Sequence, residues 1–246
     1  MKPDAASGRR TAEDTLIVAL DVPSRAQAVE LAQSLQGICR WVKVGLELYL
    51  AAGESVVHDL TKAGFSVFLD LKFHDIPNTV AGAVRSAGSL GASLLTVHAS
   101  GGPEMLAAAA AAAAALPNPP RLLAVTVLTS MNAEQLHATG IEADPQDQVK
   151  RLAGLAIDSG ISGLVCSPQE AATLRGQFDR QAFLVTPGIR PAGAAAGDQK
   201  RAATPAAAIT AGADMLVVGR PITAAPSPAA AAQAILAEIR SALGSR

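Results

Sequence analysis

Eight short runs rich in β-branched and aliphatic residues recur along the chain, each followed by a stretch long enough for a helix. They fall at Thr15 to Leu20, Trp41 to Val44, Ser66 to Leu71, Leu94 to Val97, Leu122 to Leu128, Gly163 to Cys166, Ala182 to Val185 and Met215 to Val218. Strands that alternate with helices pair in parallel through right-handed crossovers, and eight such units close into a barrel more readily than they form an open sheet. The expected fold is therefore α/β, a (β/α)8 TIM barrel. A chain of 246 residues, 50% of them hydrophobic, suits the ~250 residues typical of that architecture and points to a single domain.

The segments between the runs carry the other half of the pattern. Ala26 to Leu35, Val80 to Ser89, Ala203 to Ala211 and Ala229 to Leu243 place apolar residues on one face, as outer helices of a barrel require. The alanine tract after Met105 reads as a further helix, because alanine has the highest helix propensity, and Pro117 to Pro120 supplies its stop. Met1 to Asp14 is polar and mixed in charge, so it is expected to be a flexible tail ahead of a barrel domain spanning residues 15–246, neither signal peptide nor anchor. No apolar run approaches the ~20 residues that span a bilayer.

Charge excludes several partner classes. The formal net charge is −1, and no run of Lys or Arg exceeds a pair, so the chain lacks an electrostatic footprint for nucleic acid or an anionic membrane. Cys39 and Cys166 have no neighbour at metal-ligand or redox spacing, which fits a reducing cytoplasm.

Polar residues cluster where a barrel enzyme builds its site. Asp21, Lys43, Asp70 with Lys72, His98, Thr129, Pro187 with Gly188, and Gly219 with Arg220 all fall at or just past the carboxyl ends of expected strands. Asp70 and Lys72 are two apart in a strand, so their side chains are expected on the same side, in the barrel mouth. Lys43 enters from the second strand, and Asp75 follows just beyond the third. One such pair, taken alone, reads equally well as a structural ion pair. His98 reads as a satisfied structural histidine, the direction of His74 is open, and His58 and His137 have no motif context. No metal-ligand set emerges.

The flanking residues narrow the choice. Asp70-Leu71-Lys72-Phe73-His74-Asp75-Ile76-Pro77-Asn78-Thr79 resembles the signature of the orotidine 5′-monophosphate decarboxylase family. The resemblance runs from Asp21 to Arg220, through Val42-Lys43-Val44-Gly45, Thr96-Val97-His98-Ala99, Val127-Leu128-Thr129-Ser130, Thr186-Pro187-Gly188-Ile189-Arg190, Gly197-Asp198-Gln199 and Val218-Gly219-Arg220-Pro221-Ile222. Departures are the polar N-terminal tail, the alanine tract and the stretch Ala192 to Ala196.

What this resemblance implies is the conversion of orotidine 5′-monophosphate to uridine 5′-monophosphate in pyrimidine nucleotide biosynthesis, without metal or organic cofactor. Lys72 would stabilise and protonate a C6 carbanion, and Asp70 would sit beside the departing carboxylate and orient Lys72. Lys43 and Asp21 would meet the ribose hydroxyls. Asp75 and Thr79 would reach the neighbouring subunit's site, which makes the protein a homodimer with shared sites. Thr129 and Ser130 would meet the pyrimidine amide edge, with Pro187 lining the mouth. Gly219 and Arg220 would take the phosphate, and Arg190 and Gln199 would belong to a lid over it. Two rivals remain: a metal-dependent sugar-phosphate decarboxylase or aldolase of the same barrel group, and a phospho-ligand-binding barrel without catalysis.

Overall fold

The computed structural model describes residues 10–191 and 202–244. Eight parallel strands close on themselves in chain order: β1 (Leu16–Ala19), β2 (Trp41–Gly45), β3 (Ser66–Phe73), β4 (Leu94–His98), β5 (Arg121–Val125), β6 (Gly163–Val165), β7 (Phe183–Thr186) and β8 (Met215–Val218). The last strand pairs with the first, Leu16 opposite Leu216 and Val18 opposite Val218. Alternation along each strand sorts the side chains into two groups. Ile17, Phe68, Leu94, Leu123, Val185 and Met215 fill the barrel interior with their neighbours. Leu16, Val18, Val42, Leu69, Leu95 and Leu184 face outward and belong to the larger core beneath the helices.

Around this sheet run α1 (Ala12–Thr15), α2 (Arg25–Leu35), α3 (Leu46–Ala52), α4 (Glu54–Lys62), α5 (Pro77–Ser89), α6 (Gly102–Ala114), α7 (Ala133–His137), α8 (Pro145–Asp158), α9 (Pro168–Phe178), α10 (Pro205–Thr210), α11 (Arg220–Thr223) and α12 (Pro228–Gly244). Their starts are chemically marked. Proline opens α5, α8, α9 and α10, where its missing N–H is not needed, and Asp144 caps α8 by accepting from the Gln146 N–H at 2.9 Å. The alanine tract is helical as expected. Met105, Leu106 and Ala109 are buried on its inner face, and the helix ends at Ala114, just before the prolines.

Two expected boundaries shift. The apolar run to Leu128 continues past β5, which ends at Val125; Val127 and Leu128 line a cavity instead of extending the ladder. The N-terminal stretch is also not loose over its described part. Thr11 caps α1, Arg10 pairs with Asp214 at 2.5 Å, Asp14 with Arg40 at 2.8 Å and Glu13 with Arg240 at 2.5 Å. The Arg10 and Arg121 guanidiniums lie over the Phe183 ring at 4.9 and 4.1 Å from its centroid. Residues 10–14 thus form an arm along the amino-terminal end of the barrel. Its partners lie far away in sequence, which is why local polarity reads as a tail.

Candidate active site

At the carboxyl end of the strands is a cavity of roughly 380 Å³, a size suited to a small ligand. Its floor is apolar: Ala19, Phe68, Val125, Val165, Val185 and Val217. Its walls carry Asp21, Lys43, Asp70, Lys72, Thr129, Pro187, Gly188, Arg190, Gly219 and Arg220. Charge therefore stands directly above hydrocarbon, where the local dielectric is low and each ion acts strongly on its neighbours.

Four charges alternate along one edge. Lys43 Nζ donates to Asp21 Oδ1 at 2.9 Å and lies 3.6 Å from Asp70 Oδ2, while Lys72 Nζ donates to Asp70 Oδ1 at 2.9 Å. Asp21 is exposed, Lys43 and Asp70 are the most buried members, and Lys72 is partly exposed again. Burial by itself pushes the Asp70 carboxyl up. Lys43, then Lys72, with hydrogen bonds from Lys72 and Thr96, outweigh that and hold it below the usual carboxylate range.

Asp70 and Lys72 meet, but not through simple strand alternation. The β3–β4 pairing passes from Leu69 opposite Leu95 to Phe73 opposite Val97, so Asp70, Leu71 and Lys72 lie across from one residue, Thr96. Lys72 takes φ 52°, in the left-handed region. This bulge re-aims its side chain, as bulges beside active sites commonly do. Thr96 stitches the irregularity: its hydroxyl oxygen accepts from the Lys72 backbone N–H at 2.9 Å, and its proton goes to Asp70 Oδ1 at 3.0 Å. The sequence reading assigns Thr96 no role. The available signal was its place in the matching Thr96-Val97-His98-Ala99 stretch.

Gly45 is required by the same array. A Cβ there would stand 2.9 Å from Lys43 Nζ and 3.1 Å from Asp21 Oδ1. On the opposite wall Pro187-Gly188 turns the chain away from β7, with Gly188 at φ 80°. Arg190 and Arg220 follow on that side. Burial, and then the nearby Arg220, push the Arg190 guanidinium down from its ordinary value. Two cations held this close suit an anionic group between them.

The remaining expected residues lie elsewhere. Asp75 and Thr79 are exposed at the start of α5, outside the cavity wall, and Asp75 Oδ1 accepts from the Ile76 N–H. Ser130 is exposed beyond the rim. Gln199, and the 192–201 segment that contains it, lies outside the described residues. His98 stacks on His74 with ring centroids 5.3 Å apart, and burial, then His74 and Lys72, push it down so that it is neutral near pH 7. Among the described residues no group of three or more His, Cys, Asp or Glu is arranged to hold a metal ion, and no helix is long and apolar enough to cross a membrane.

Comparison with known proteins bears on this geometry. A family model described as "Orotidine 5'-phosphate decarboxylase / HUMPS family" matches residues 14–235. The orotidine 5′-phosphate decarboxylase of Halorhodospira halophila is 57% identical over 228 residues, covering 92% of this chain and 96% of the relative. That of Opitutus terrae is 52% identical over 226 residues, covering 92% and 98%. The crystal structure of the enzyme of that name from Lactobacillus acidophilus superposes with a TM-score of 0.82 at 39% identity, over 92% of this chain and 98% of the other.

Proposed function

The chain belongs to the orotidine 5′-phosphate decarboxylase / HUMPS family, and from that membership we propose that it decarboxylates orotidine 5′-monophosphate to uridine 5′-monophosphate, a step of pyrimidine nucleotide biosynthesis. The observation that carries the reading is the Lys43–Asp70–Lys72 array above an apolar floor. When carbon dioxide leaves C6, the bonding electron pair stays in the ring plane and cannot spread over the π system. Fixed positive charge in a water-poor pocket is what such a carbanion needs. Lys72 supplies it and then transfers its ammonium proton to C6, recovering a proton from solvent afterwards. Asp70 orients the ammonium and faces the departing carboxylate.

The rest of the wall suits the rest of the nucleotide. Asp21 and Lys43 take the ribose hydroxyls, Thr129 the pyrimidine amide edge with Pro187 beside it, and Arg190, Gly219 and Arg220 the phosphate; Ser130, beyond the rim, is assigned to the amide edge and Gln199, outside the described residues, to the phosphate end. Phosphate binding anchors the nucleotide, so energy from a non-reacting group helps to hold the reacting end in place. No metal or organic cofactor takes part. Asp70 already faces two ammonium groups, which opposes the magnesium-dependent rival because a cation would have to displace them.

The protein acts as a homodimer in the cytoplasm. Leu46, Leu50 and Ile76 are large apolar side chains left 51%, 81% and 67% exposed, and Ile76 lies within the Asp75–Thr79 segment itself. Covering them with a second copy would carry Asp75 and Thr79 into the partner's cavity. Two free buried thiols suit a reducing compartment.

The test is the ultraviolet absorbance change on adding orotidine 5′-monophosphate to purified protein in excess chelator, with Lys72→Ala in parallel. Conversion by the wild type, lost in the variant, is expected; folded wild-type protein that turns over nothing sinks the reading, and chelator sensitivity turns it toward the sugar-phosphate branch. Mixing Lys72→Ala with Asp75→Asn tests the shared site. Hybrid dimers should regain activity, and no recovery after demonstrated subunit exchange removes Asp75 from the neighbouring cavity.

A further inference from the structure

Thr96 lies inside the barrel on β4 and is 1% exposed. A threonine hydroxyl has one proton and two acceptor lone pairs, and here both functions are committed. The Lys72 backbone N–H only donates, so it takes a lone pair of the hydroxyl oxygen; the ionised Asp70 carboxylate only accepts, so it takes the proton. Reversing either bond is chemically impossible while Asp70 is ionised. The hydroxyl therefore has one stable orientation.

Its two partners are the two ends of the reacting pair. Lys72 stands in a backbone conformation that residues with a Cβ adopt at a cost in free energy, and its N–H falls where the β3–β4 register is interrupted. Without the Thr96 hydroxyl that N–H loses the acceptor it has in the bulge. Asp70 Oδ1 receives the Lys72 ammonium and the Thr96 proton together, so one side chain fixes the start of the lysine and the carboxylate that aims its end.

We propose that Thr96 is a positioning residue for the decarboxylation, its hydroxyl locking the Lys72 backbone and the Asp70 carboxylate into one unit that delivers the Lys72 ammonium to the reacting carbon. The proposal rests on the decarboxylase reading above. It separates Thr96 from the groups that bind ribose and phosphate, which lie along Asp21, Lys43, Arg190 and Arg220. Its effect belongs in kcat and not in nucleotide affinity.

The experiment compares wild type, Thr96→Val and Thr96→Ser in steady-state turnover of orotidine 5′-monophosphate and in calorimetric binding of uridine 5′-monophosphate. Valine keeps the shape and loses the hydroxyl, whereas serine keeps the hydroxyl and loses the methyl. Thr96→Val should lower kcat by about tenfold or more, the scale for losing a hydrogen bond to a charged group, while KM and product affinity stay within about twofold. Thr96→Ser should restore most of kcat. Wild-type kcat in Thr96→Val, a loss confined to KM, or a serine variant no better than valine would each overturn the proposal. Should Thr96→Val not fold, Thr96→Ala against Thr96→Ser makes the same comparison of hydroxyl with none. An inactive wild type removes the decarboxylase reading and this proposal together; an active wild type indifferent to Thr96→Val removes this proposal alone.

Discussion

Gly45→Ala separates the stability of the barrel from the geometry of its charges. Gly45 has φ −94° and ψ −176°, extended backbone that alanine adopts freely. On that count the substitution stabilises by about 0.4–1 kcal/mol, because it narrows the unfolded ensemble. Against this, the new methyl stands 2.9 Å from Lys43 Nζ and 3.1 Å from Asp21 Oδ1, where comfortable contacts begin near 3.5 Å. The lysine tip must withdraw by roughly 0.5 Å, which loosens an ion pair whose Asp21 end is half exposed and worth at most about 1 kcal/mol. The two contributions nearly cancel, so the melting temperature should move by no more than ~4 °C. Activity should respond far more. A misplacement of ~1 Å costs about a hundredfold, so ~0.5 Å at Lys43 predicts about tenfold in kcat/KM. Thermal scans and initial rates on one preparation test it. Wild-type efficiency would refute the argument, as would a melting point lowered by much more than ~4 °C, which would mean that the backbone yields instead of Lys43.

Arg220→Ala should lower kcat/KM by about tenfold to a hundredfold, the scale of a charge-assisted contact, and should abolish the thermal stabilisation given by uridine 5′-monophosphate; unchanged efficiency removes Arg220 from the phosphate site. Asp214→Asn should cost about 3–5 kcal/mol, since the buried carboxylate accepts from the Leu184 N–H at 2.7 Å and pairs with Arg10 and Arg175. That corresponds to a drop of roughly 6–20 °C in melting temperature, with kcat per folded molecule intact, and a drop under ~2 °C would contradict it. Burial pushes the thiols of Cys39 and Cys166 up to about 12, so at pH 8 only about one part in ten thousand is thiolate. An aromatic disulfide reagent should titrate both in denaturant and neither quickly in native protein; rapid native reaction would show the burial to be wrong.

The periodic parts of the molecule were legible in the sequence because their cause is local. Alternating β-branched runs and one-faced helices carry their own signature, so all eight strands fall on expected runs. Where a second element decides the outcome, the signal fades. Val127 and Leu128 look like strand but line the cavity, and the arm from Arg10 to Asp14 looks like tail until Asp214, Arg40 and Arg240 meet it. The charged residues were found from their position at strand ends. The bulge that aims Lys72 was not, because it arises from the mismatch between two strands and leaves no mark in either one. Thr96 escaped for the same reason: a threonine in a strand is ordinary until what lies opposite is known.

The pairing of Leu16 with Leu216 also sets a clock on synthesis. The first strand leaves the ribosome two hundred residues before the strand that closes it, which at ~5–20 residues per second is an interval of about 10–40 s. Throughout that time the growing sheet has an open edge at β1 and another at the newest strand, each able to template a wrong partner. Arg10 and Glu13 of the N-terminal arm equally lack their partners until Asp214 and Arg240 are made. Yield in the cell should therefore depend on translation rate and chaperone supply more than the stability of the finished barrel would suggest.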